Sequence, residues 1–228
     1  MVIDVLRAST TIATALAHGA AGVLPVADLA EARALAAGLG RGGLLGGERG
    51  GLRIEGFDLG NSPREYIPQR VAGKTIVITT TNGTAALHAC RDAREILVGA
   101  IVNRTAVADA VRRLATDVGR NDVHLVCAGT DGVVSGEDVL AAGAILDAAT
   151  CTRADGHVLD DAALAALACF RRVAAAPALR ESLVAEFRRS PGGSNLVDLG
   201  MEADLPVAAA IDSLAVVPRL DRASGRLI

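Results

Sequence analysis

Short aliphatic runs alternate along this chain with longer, alanine-rich segments whose apolar residues recur with helical spacing. The runs at residues 75–80, 96–101 and 123–127 are apolar almost throughout, which is typical of strands buried on both faces. Alternation of such strands with helices predicts a largely parallel sheet with helices on both sides. We therefore expect an α/β protein with three α/β/α layers around a largely parallel or mixed central sheet.

The predicted strands and helices follow one another along most of the chain. The strands are expected at residues 2–6, 23–26, 43–45, 75–80, 96–101, 123–127 and 214–217. The helices are expected at residues 10–17, 29–37, 84–90, 105–116, 137–148, 161–174, 178–188 and 205–211. Residues 160–189 show no strand between their helices, so they are predicted to form a helical excursion. Residues 1–228 are predicted to be a single domain, built either as one unit or as two closely packed lobes.

The composition argues against two classes of partner. Aromatic residues make up only 2% of the chain and the net charge is −3, whereas nucleic-acid binding needs stacking surfaces or basic patches. Residues 8–27 contain no Asp, Glu, Lys or Arg, but their hydroxyls, His18 and Pro25 are unlike a membrane span. Asp4 stands where a secretory signal needs basic residues. We expect a cytoplasmic protein that binds neither nucleic acid nor membranes, and its alanine-rich helices leave a homo-oligomer open.

Polar residues are concentrated after three of the predicted strands, at residues 3–11, 79–84 and 128–138. In a parallel sheet these strand-to-helix junctions meet at the carboxyl edge, where such folds bind ligands. The second junction (TTTNGT) is typical of a phosphate-binding turn, because its glycine allows close approach and its hydroxyls and helix N–H groups can donate to an anion. The alternative is a polar turn that only caps its helix. We expect the turn from Thr80 to Thr84 to bind phosphate.

Four carboxylates stand beside a glycine or at a strand end: Asp4, Glu48, Glu137 and Asp138. Oxygen ligands of this kind suit Mg²⁺, which takes one or two carboxylates and keeps places for water and substrate phosphate. For each carboxylate alone, a helix cap or a solvated charge is the alternative, and the cap is strongest for Asp138. Arg7 and Arg49 could each bind a second anionic group of the substrate through two hydrogen bonds, or form a surface ion pair.

Five segments, in this order, resemble the 2-phosphosulfolactate phosphatase family, also called ComB-like. They are residues 3–12 (IDVLRASTTI), 46–51 (GGERGG), 56–63 (GFDLGNSP), 79–84 (TTTNGT) and 127–130 (CAGT), with Glu137 and Asp138 downstream. Residues of the C-terminal part also fall in the family's order: Ser190, Gly193, Leu196, Gly200, Asp204, Asp212, Val217 and Pro218. The resemblance covers nearly the whole chain. Family members begin some residues earlier, with an edge strand before the strand of Asp4, so either the start is misassigned here or that edge strand is missing.

The resemblance implies a three-layer α/β fold and a magnesium-dependent phosphoric monoester hydrolase. The implied reaction converts (2R)-2-phospho-3-sulfolactate to 3-sulfolactate and phosphate, a step in coenzyme M biosynthesis. The expected catalytic residues are Asp4, Glu48 and Arg7, and Mg²⁺ would be held by Asp4, Glu48, Glu137 and Asp138 or a subset of them. The small anionic phosphorylated substrate is expected to contact Ser9, Thr10, Arg49, Asn61, Ser62, Thr80, Thr81, Asn82, Gly83, Thr84, Gly129 and Thr130.

Three alternatives stay open at this point. Asp4 could hold the metal, or it could be a nucleophile that takes the phosphoryl group. The substrate could be a different small phosphorylated hydroxy acid, which would change what Arg7 and Arg49 recognise. The chain could also be a non-catalytic protein that binds an anionic metabolite, although a pure anion sensor has no reason to place carboxylates near its ligand without a metal.

Overall fold

A computed structural model describes residues 1–116, 122–150 and 158–228. Within these residues strands and helices alternate, as the aliphatic runs predict. The strands are β1 (Val2–Ile3), β2 (Gly22–Pro25), β3 (Gly43–Arg49), β4 (Leu52–Arg53), β5 (Thr75–Thr79), β6 (Val98–Gly99), β7 (Val126–Cys127), β8 (Leu220–Asp221) and β9 (Arg226–Leu227). The helices are α1 (Ala8–Ala17), α2 (Leu29–Leu39), α3 (Pro68–Val71), α4 (Gly83–Ala89), α5 (Arg104–Thr116), α6 (Gly136–Thr150), α7 (Asp161–Ala174), α8 (Leu179–Arg189), α9 (Pro191–Asp198) and α10 (Leu205–Ala208).

These strands form two sheets. In the first, β1 lies between β6 and β7, and both pairs are parallel. In the second, the order is β4-β3-β5-β2-β9-β8; β3, β5 and β2 are parallel, whereas β4, β9 and β8 are antiparallel to their neighbours. An antiparallel bridge between Leu97 and Arg219 links the two sheets. Helices pack around this mixed, mostly parallel arrangement, so the predicted three-layer α/β fold is confirmed.

The core forms where the aliphatic runs are covered on both sides. All five residues of β5 are buried, because β2 and β3 flank this strand and α2 packs against it. One large apolar cluster joins β1 to helices α5–α9 and contains Ile3, Phe170 and Phe187. A second cluster surrounds β2 and β5 and contains Ile12 and Tyr66. Burial of each large side chain of this kind contributes about 1.5–3 kcal/mol to folding.

The strand predicted at residues 214–217 is wrong. The backbone of these residues forms hydrogen bonds with residues that are not in a strand. The Leu214 N–H donates to the carbonyl of Val102, and the Val216 carbonyl accepts from the Asn103 side-chain amide. Pro218 follows and has no N–H to offer to a ladder. The C-terminal strands β8 and β9 form after this proline instead.

Helix α9 was not predicted, because Pro191, Gly192 and Gly193 are typical helix breakers. The helix begins because Ser190 caps it, accepting a hydrogen bond from the Gly193 N–H at 3.1 Å, while Pro191 occupies the first turn. Helix α10 also ends earlier than predicted, at Ala208 instead of residue 211. The helical excursion predicted at 160–189 is present as α7 and α8 with no strand between them.

No helix in the described part of the chain is long and apolar enough to cross a membrane.

Candidate active site

A small cavity lies where the segments after β1, β5 and β7 meet the turn between β3 and β4. Its enclosed volume is about 50 Å³, and it opens to solvent. Seven of the predicted site residues line it: Asp4, Arg7, Glu48, Asn61, Thr81, Asn82 and Thr130. The other lining residues are Leu6, Gly50, Gly51, Asp131, Gly192, Asn195 and Leu196. The polar junctions of the sequence therefore do meet, at the carboxyl ends of strands from both sheets.

Asp4 directly follows β1 and is 7% exposed. Its Oδ1 accepts a hydrogen bond of 3.1 Å from the Ala8 N–H at the start of α1, and its backbone N–H donates to Ser9 Oγ at 2.8 Å. Burial raises the pKa of the Asp4 carboxyl to about 7; the Ala8 N–H acts against this rise, and the charges of Glu48 and Glu137 add to it. The site therefore disfavours a second negative charge unless a cation binds there.

Gly83, the first residue of α4, makes room for the Asp4 carboxylate. A Cβ atom at this position would lie 2.6 Å from Asp4 Oδ2 and 2.5 Å from Ala8 Cβ. Both distances are too short for carbon, so a glycine is required for the turn after β5 to approach the end of β1.

The hydroxyls of Thr80 and Thr84 form hydrogen bonds with the backbone of the turn that was predicted to bind phosphate. Thr84 Oγ1 donates to the Thr80 carbonyl at 2.7 Å, and the Thr84 N–H donates to Thr80 Oγ1 at 3.1 Å. Both side chains are buried. They shape the turn, and Thr81 and Asn82 are the residues of this turn that line the cavity.

Three hydrogen bonds hold the carboxylate of Glu48 at the end of β3. Oε1 accepts from the Thr81 N–H at 2.7 Å, and Oε2 accepts from the Gly51 N–H at 2.7 Å and from Thr81 Oγ1 at 3.2 Å. Gly51 has a φ of +86°, which favours glycine, and a Cβ there would also lie 2.4 Å from Leu199. These bonds fix the β3–β4 turn against the turn after β5.

Arg49 follows Glu48 along β3, and successive side chains of a strand point to opposite faces. Its Nη1 donates to the Glu48 carbonyl at 2.8 Å, and its Nη2 donates to Thr79 Oγ1 at 2.9 Å and to the Ala27 carbonyl at 3.2 Å. Arg49 is not among the residues that line the cavity. The structure thus does not bring Arg49 to the predicted substrate site.

The guanidinium of Arg7 is buried at the wall of the cavity. Its Nη1 donates to Asp204 Oδ2 at 3.0 Å and to Met201 Sδ at 2.9 Å, and its Nη2 donates to the Gly51 carbonyl at 2.5 Å. Asp204 Oδ1 in turn accepts a hydrogen bond of 2.6 Å from Ser62 Oγ. The ion pair that was the alternative for Arg7 is therefore formed, but it is buried, and Ser62 binds Asp204 instead of lining the cavity.

Asp138 connects two strand ends. Its Oδ1 accepts from the Val5 N–H at 2.8 Å, and its Oδ2 accepts from the Gly129 N–H at 3.0 Å. Burial raises the pKa of the Asp138 carboxyl well above its usual range, and the nearby charge of Asp4 adds to this effect. The carboxylate does not cap its own helix, which was the alternative considered from the sequence; it joins the segments that follow β1 and β7.

Two buried oxygen atoms near the cavity lack a hydrogen-bond partner: Glu137 Oε2 and Asn61 Oδ1. Glu137 is 2% exposed, and its Oε1 lies so close to Gly192 that a Cβ there would be 2.3 Å away. Burial raises the pKa of the Glu137 carboxyl. A buried acceptor without a donor is costly, so these two oxygens indicate a site that a cation or a hydrogen-bond donor would complete.

No group of three or more His, Cys, Asp or Glu side chains in residues 1–116, 122–150 and 158–228 is arranged to hold a metal ion. The four predicted carboxylates therefore do not form one ligand cluster. At most two of them could bind the same ion, which is the number that Mg²⁺ commonly takes when it also binds water and phosphate.

Residues 1–223 match the model of the 2-phosphosulpholactate phosphatase family. The chain belongs to this family. Membership in the 2-phosphosulpholactate phosphatase family makes the chain a phosphoric monoester hydrolase, and it confirms the resemblance drawn from the five sequence segments.

Relatives of the chain cover most of its length. A protein of Carboxydothermus hydrogenoformans is 41% identical over 228 residues, which are 100% of this chain and 88% of that protein. A protein of Gloeobacter violaceus is 40% identical over 227 residues, covering 99% and 89%. A protein of Caldicellulosiruptor saccharolyticus is 40% identical over 205 residues, covering 90% and 81%. All three are named probable 2-phosphosulfolactate phosphatase.

Several predicted residues of this phosphatase support the cavity without lining it. Ser9 Oγ binds the Asp4 N–H, Thr10 Oγ1 donates to the Val5 carbonyl at 2.7 Å, and Gly129 binds Asp138. The predicted site residues did not include the other seven that line the cavity, among them Gly51, Gly192 and Asn195, or Asp204, which binds Arg7. Ser190 followed by Pro191 is typical of the start of a helix. This pair could have predicted α9, which contains Gly192 and Asn195.

Proposed function

We propose that this chain hydrolyses (2R)-2-phospho-3-sulfolactate to 3-sulfolactate and phosphate, and that it requires Mg²⁺. The observation that carries the proposal is the cavity itself. It combines two buried carboxylates, Asp4 and Glu48, with a buried guanidinium, Arg7, at the carboxyl ends of strands, where α/β folds bind ligands. The names of the relatives supply the substrate.

The residues of the cavity fit a magnesium ion. Asp4 and Glu48 line it and are the proposed ligands, together with the unpartnered Asn61 Oδ1. The charge of Glu137 helps to raise the pKa of Asp4, and the charge of Asp4 helps to raise the pKa of Asp138, so these carboxyls also favour a cation at this place. When bound, the ion would neutralise charge on the phosphoryl oxygens and lower the pKa of a bound water.

The charge of the cavity supports the need for a cation. Asp4, Glu48 and Asp131 bring carboxylates to its wall, while the positive charge of Arg7 is offset by Asp204. A substrate with a phosphate, a sulfonate and a carboxylate would be repelled by such a wall. A divalent cation reverses the sign of this interaction where the phosphate binds.

The turn after β5 is proposed to bind the phosphoryl group. Asn82 lines the cavity, and its side-chain amide can donate hydrogen bonds to phosphoryl oxygens, whereas the N–H and hydroxyl of Thr81 already donate to Glu48. Thr80 and Thr84 keep the turn in place, because their hydroxyls bind its backbone. Donors that are fixed before the reaction stabilise the developing charge without reorganisation.

Arg7 is proposed to bind the sulfonate or the carboxylate at the other end of the substrate. A guanidinium has five N–H donors, so Arg7 can make its three bonds inside the protein and still donate to a substrate. The exposed Asn195 lines the same cavity, with its amide nitrogen beside Gly51. Asn195 is therefore placed to add a further donor for this acid group.

The test is phosphate release from 2-phospho-3-sulfolactate and from 2-phospholactate, which lacks the sulfonate, each with Mg²⁺ and with EDTA. We expect magnesium-dependent release and a clear preference for the sulfonated substrate. Equal rates on the two substrates would contradict 2-phospho-3-sulfolactate as the specific substrate. Unchanged rates in EDTA would contradict the requirement for Mg²⁺.

An acid-quenched single turnover then tests the proposed role of Asp4. If Asp4 is a ligand, water attacks the phosphorus directly, the ester P–O bond breaks, 3-sulfolactate leaves with its hydroxyl protonated, and no phospho-aspartate forms. A phospho-aspartate trapped at Asp4 during the turnover would make Asp4 the nucleophile instead.

A further inference from the structure

Asp204 lies behind Arg7 as seen from the cavity, in the short turn Glu202–Asp204 that leads into α10. The residue is 1% exposed and does not line the cavity. Its two carboxylate oxygens have different partners, because Oδ2 accepts from Arg7 Nη1 at 3.0 Å and Oδ1 accepts from Ser62 Oγ at 2.6 Å. Asp204 thus links the segment after β1 to the turn before α3.

Stability alone does not explain such a pair. The Arg7 and Asp204 side chains are 3% and 2% exposed, and taking two charges out of water costs about as much as their attraction returns. The pair instead fixes the orientation of the Arg7 guanidinium. Asp204 and Met201 hold Nη1, and the Gly51 carbonyl holds Nη2, so the plane of the guanidinium is fixed from two sides.

We propose that Asp204 is a positioning residue for the phosphatase reaction: it orients the Arg7 guanidinium so that its remaining N–H donors point at the acid group of the substrate. Ser62 supports Asp204 in this role through its hydroxyl. The inference rests on the proposed function of Arg7 in substrate binding. Loss of a fixed orientation can cost as much as about 100-fold in rate, even when the altered residue never touches the substrate.

A double-mutant cycle between Asp204→Asn and Arg7→Lys tests the inference, with kcat/KM on 2-phospho-3-sulfolactate as the readout. Each single variant is expected to lose about 10- to 100-fold. If Asp204 acts through Arg7, the double variant loses no more than the worse single variant. A residue with a merely structural role would give losses that multiply, and that result would overturn the proposal.

Glu202→Gln is the matched control. Glu202 lies in the same turn and also pairs with an arginine, but the pair with Arg188 is on the surface. We expect its activity to stay within about twofold of the unaltered chain, since exposed pairs contribute little.

A second cycle uses a milder change in place of Asp204→Asn, which leaves the buried charge of Arg7 unpaired and could unfold the protein. Ser62→Ala, combined with Arg7→Lys, provides this cycle. It should lose about three- to tenfold in rate, again without adding to Arg7→Lys. Full activity of Ser62→Ala or additive losses would contradict the proposal.

Nuclear magnetic resonance of ¹⁵N-labelled arginine gives a readout that needs no turnover. The two Nη groups of Arg7 are bound on different sides, so their signals should be separate in the unaltered chain and should merge in Asp204→Asn. The signals that are absent from the spectrum of Arg7→Lys are thereby assigned to Arg7. If the unaltered chain releases no phosphate, the proposed function fails, but the spectra still test whether Asp204 orients Arg7. Unchanged Nη signals in the folded Asp204→Asn variant would overturn the positioning role.

Discussion

Thr81 donates two hydrogen bonds to Glu48, one from its backbone N–H to Oε1 at 2.7 Å and one from its hydroxyl to Oε2 at 3.2 Å. Glu48 belongs to β3 and Thr81 follows β5, so the pair joins the carboxyl ends of two neighbouring parallel strands. Hydrogen bonds to an ionised carboxylate are among the stronger ones in proteins. The pair therefore holds a carboxylate in a fixed position at the wall of the cavity.

Glu48→Gln should lower kcat/KM by about 100-fold or more, because it removes a charge from the proposed magnesium site. The new amide NH₂ would also face the N–H of either Thr81 or Gly51, and such an unsatisfied donor costs about 1–3 kcal/mol of stability. Kinetics at saturating Mg²⁺ and urea unfolding measure the two effects. Glu55→Gln, on an exposed glutamate, should change neither. Near-normal activity of Glu48→Gln would exclude Glu48 from the mechanism.

Gly83→Ala should displace the Asp4 carboxylate, since the added Cβ would lie 2.6 Å from Oδ2. We expect a loss of about 100-fold in kcat, because a shift of one ångström at a reacting group has effects of that size. Gly38→Ala is the control: nothing lies within 4 Å of a Cβ in that part of α2, and the change should stabilise the helix by about 0.5–1 kcal/mol. Equal activity of the two alanine variants would show that Asp4 tolerates displacement.

Asp4 should make the metal-free protein less stable as the pH rises. Its pKa is raised in the folded state from 3.8 to about 7, so the folded protein binds the proton more tightly than the unfolded chain does. The stability that this provides is complete below about pH 4 and is lost as the pH rises to about 7. In EDTA, the free energy of unfolding of the unaltered chain should fall over this range relative to Asp4→Asn, which cannot titrate. Parallel curves for the two proteins would contradict the raised pKa.

Arg49→Met should leave KM for 2-phospho-3-sulfolactate within about twofold of the normal value, because the Arg49 guanidinium binds Ala27 and Thr79 and does not line the cavity. The lost hydrogen bonds should instead reduce stability by about 1–3 kcal/mol. Arg7→Met, in contrast, should raise KM by more than about tenfold. Steady-state kinetics on both variants separates these effects, and a large rise in KM for Arg49→Met would restore Arg49 as a substrate ligand.

The sequence was sufficient to predict β5 as a strand buried on both faces, whereas the run at 123–127, predicted to be buried in the same way, forms only the half-buried strand β7. The apolar run of β5 and the polar turn after it are local patterns, so the sheet edge and several of the cavity residues could be expected from them. Alternation along a strand could also have shown that Glu48 and Arg49 cannot both face one cavity. The register of β3 was needed to decide which of the two does so.

Contacts between distant segments could not be predicted in the same way. Arg7 and Asp204 are 197 positions apart, and no local pattern near Asp204 marks it as the partner of an arginine. The role of Asp138 shows the same limit, because its sequence neighbours suggest a helix cap, while the fold brings the N–H groups of Val5 and Gly129 to its carboxylate. Tertiary packing decides the use of such polar groups.

Phosphate release by Asp4→Asn, compared with the unaltered chain, tests most directly whether this cavity is the site of hydrolysis. The assay uses 2-phospho-3-sulfolactate with Mg²⁺, and Asp92→Asn, on a side chain that is 94% exposed, is the control. We predict that the unaltered chain and Asp92→Asn release phosphate at the same rate, and that Asp4→Asn, although folded, is slower by about 1,000-fold. Release by Asp4→Asn at the rate of the control would place the reaction elsewhere in the protein.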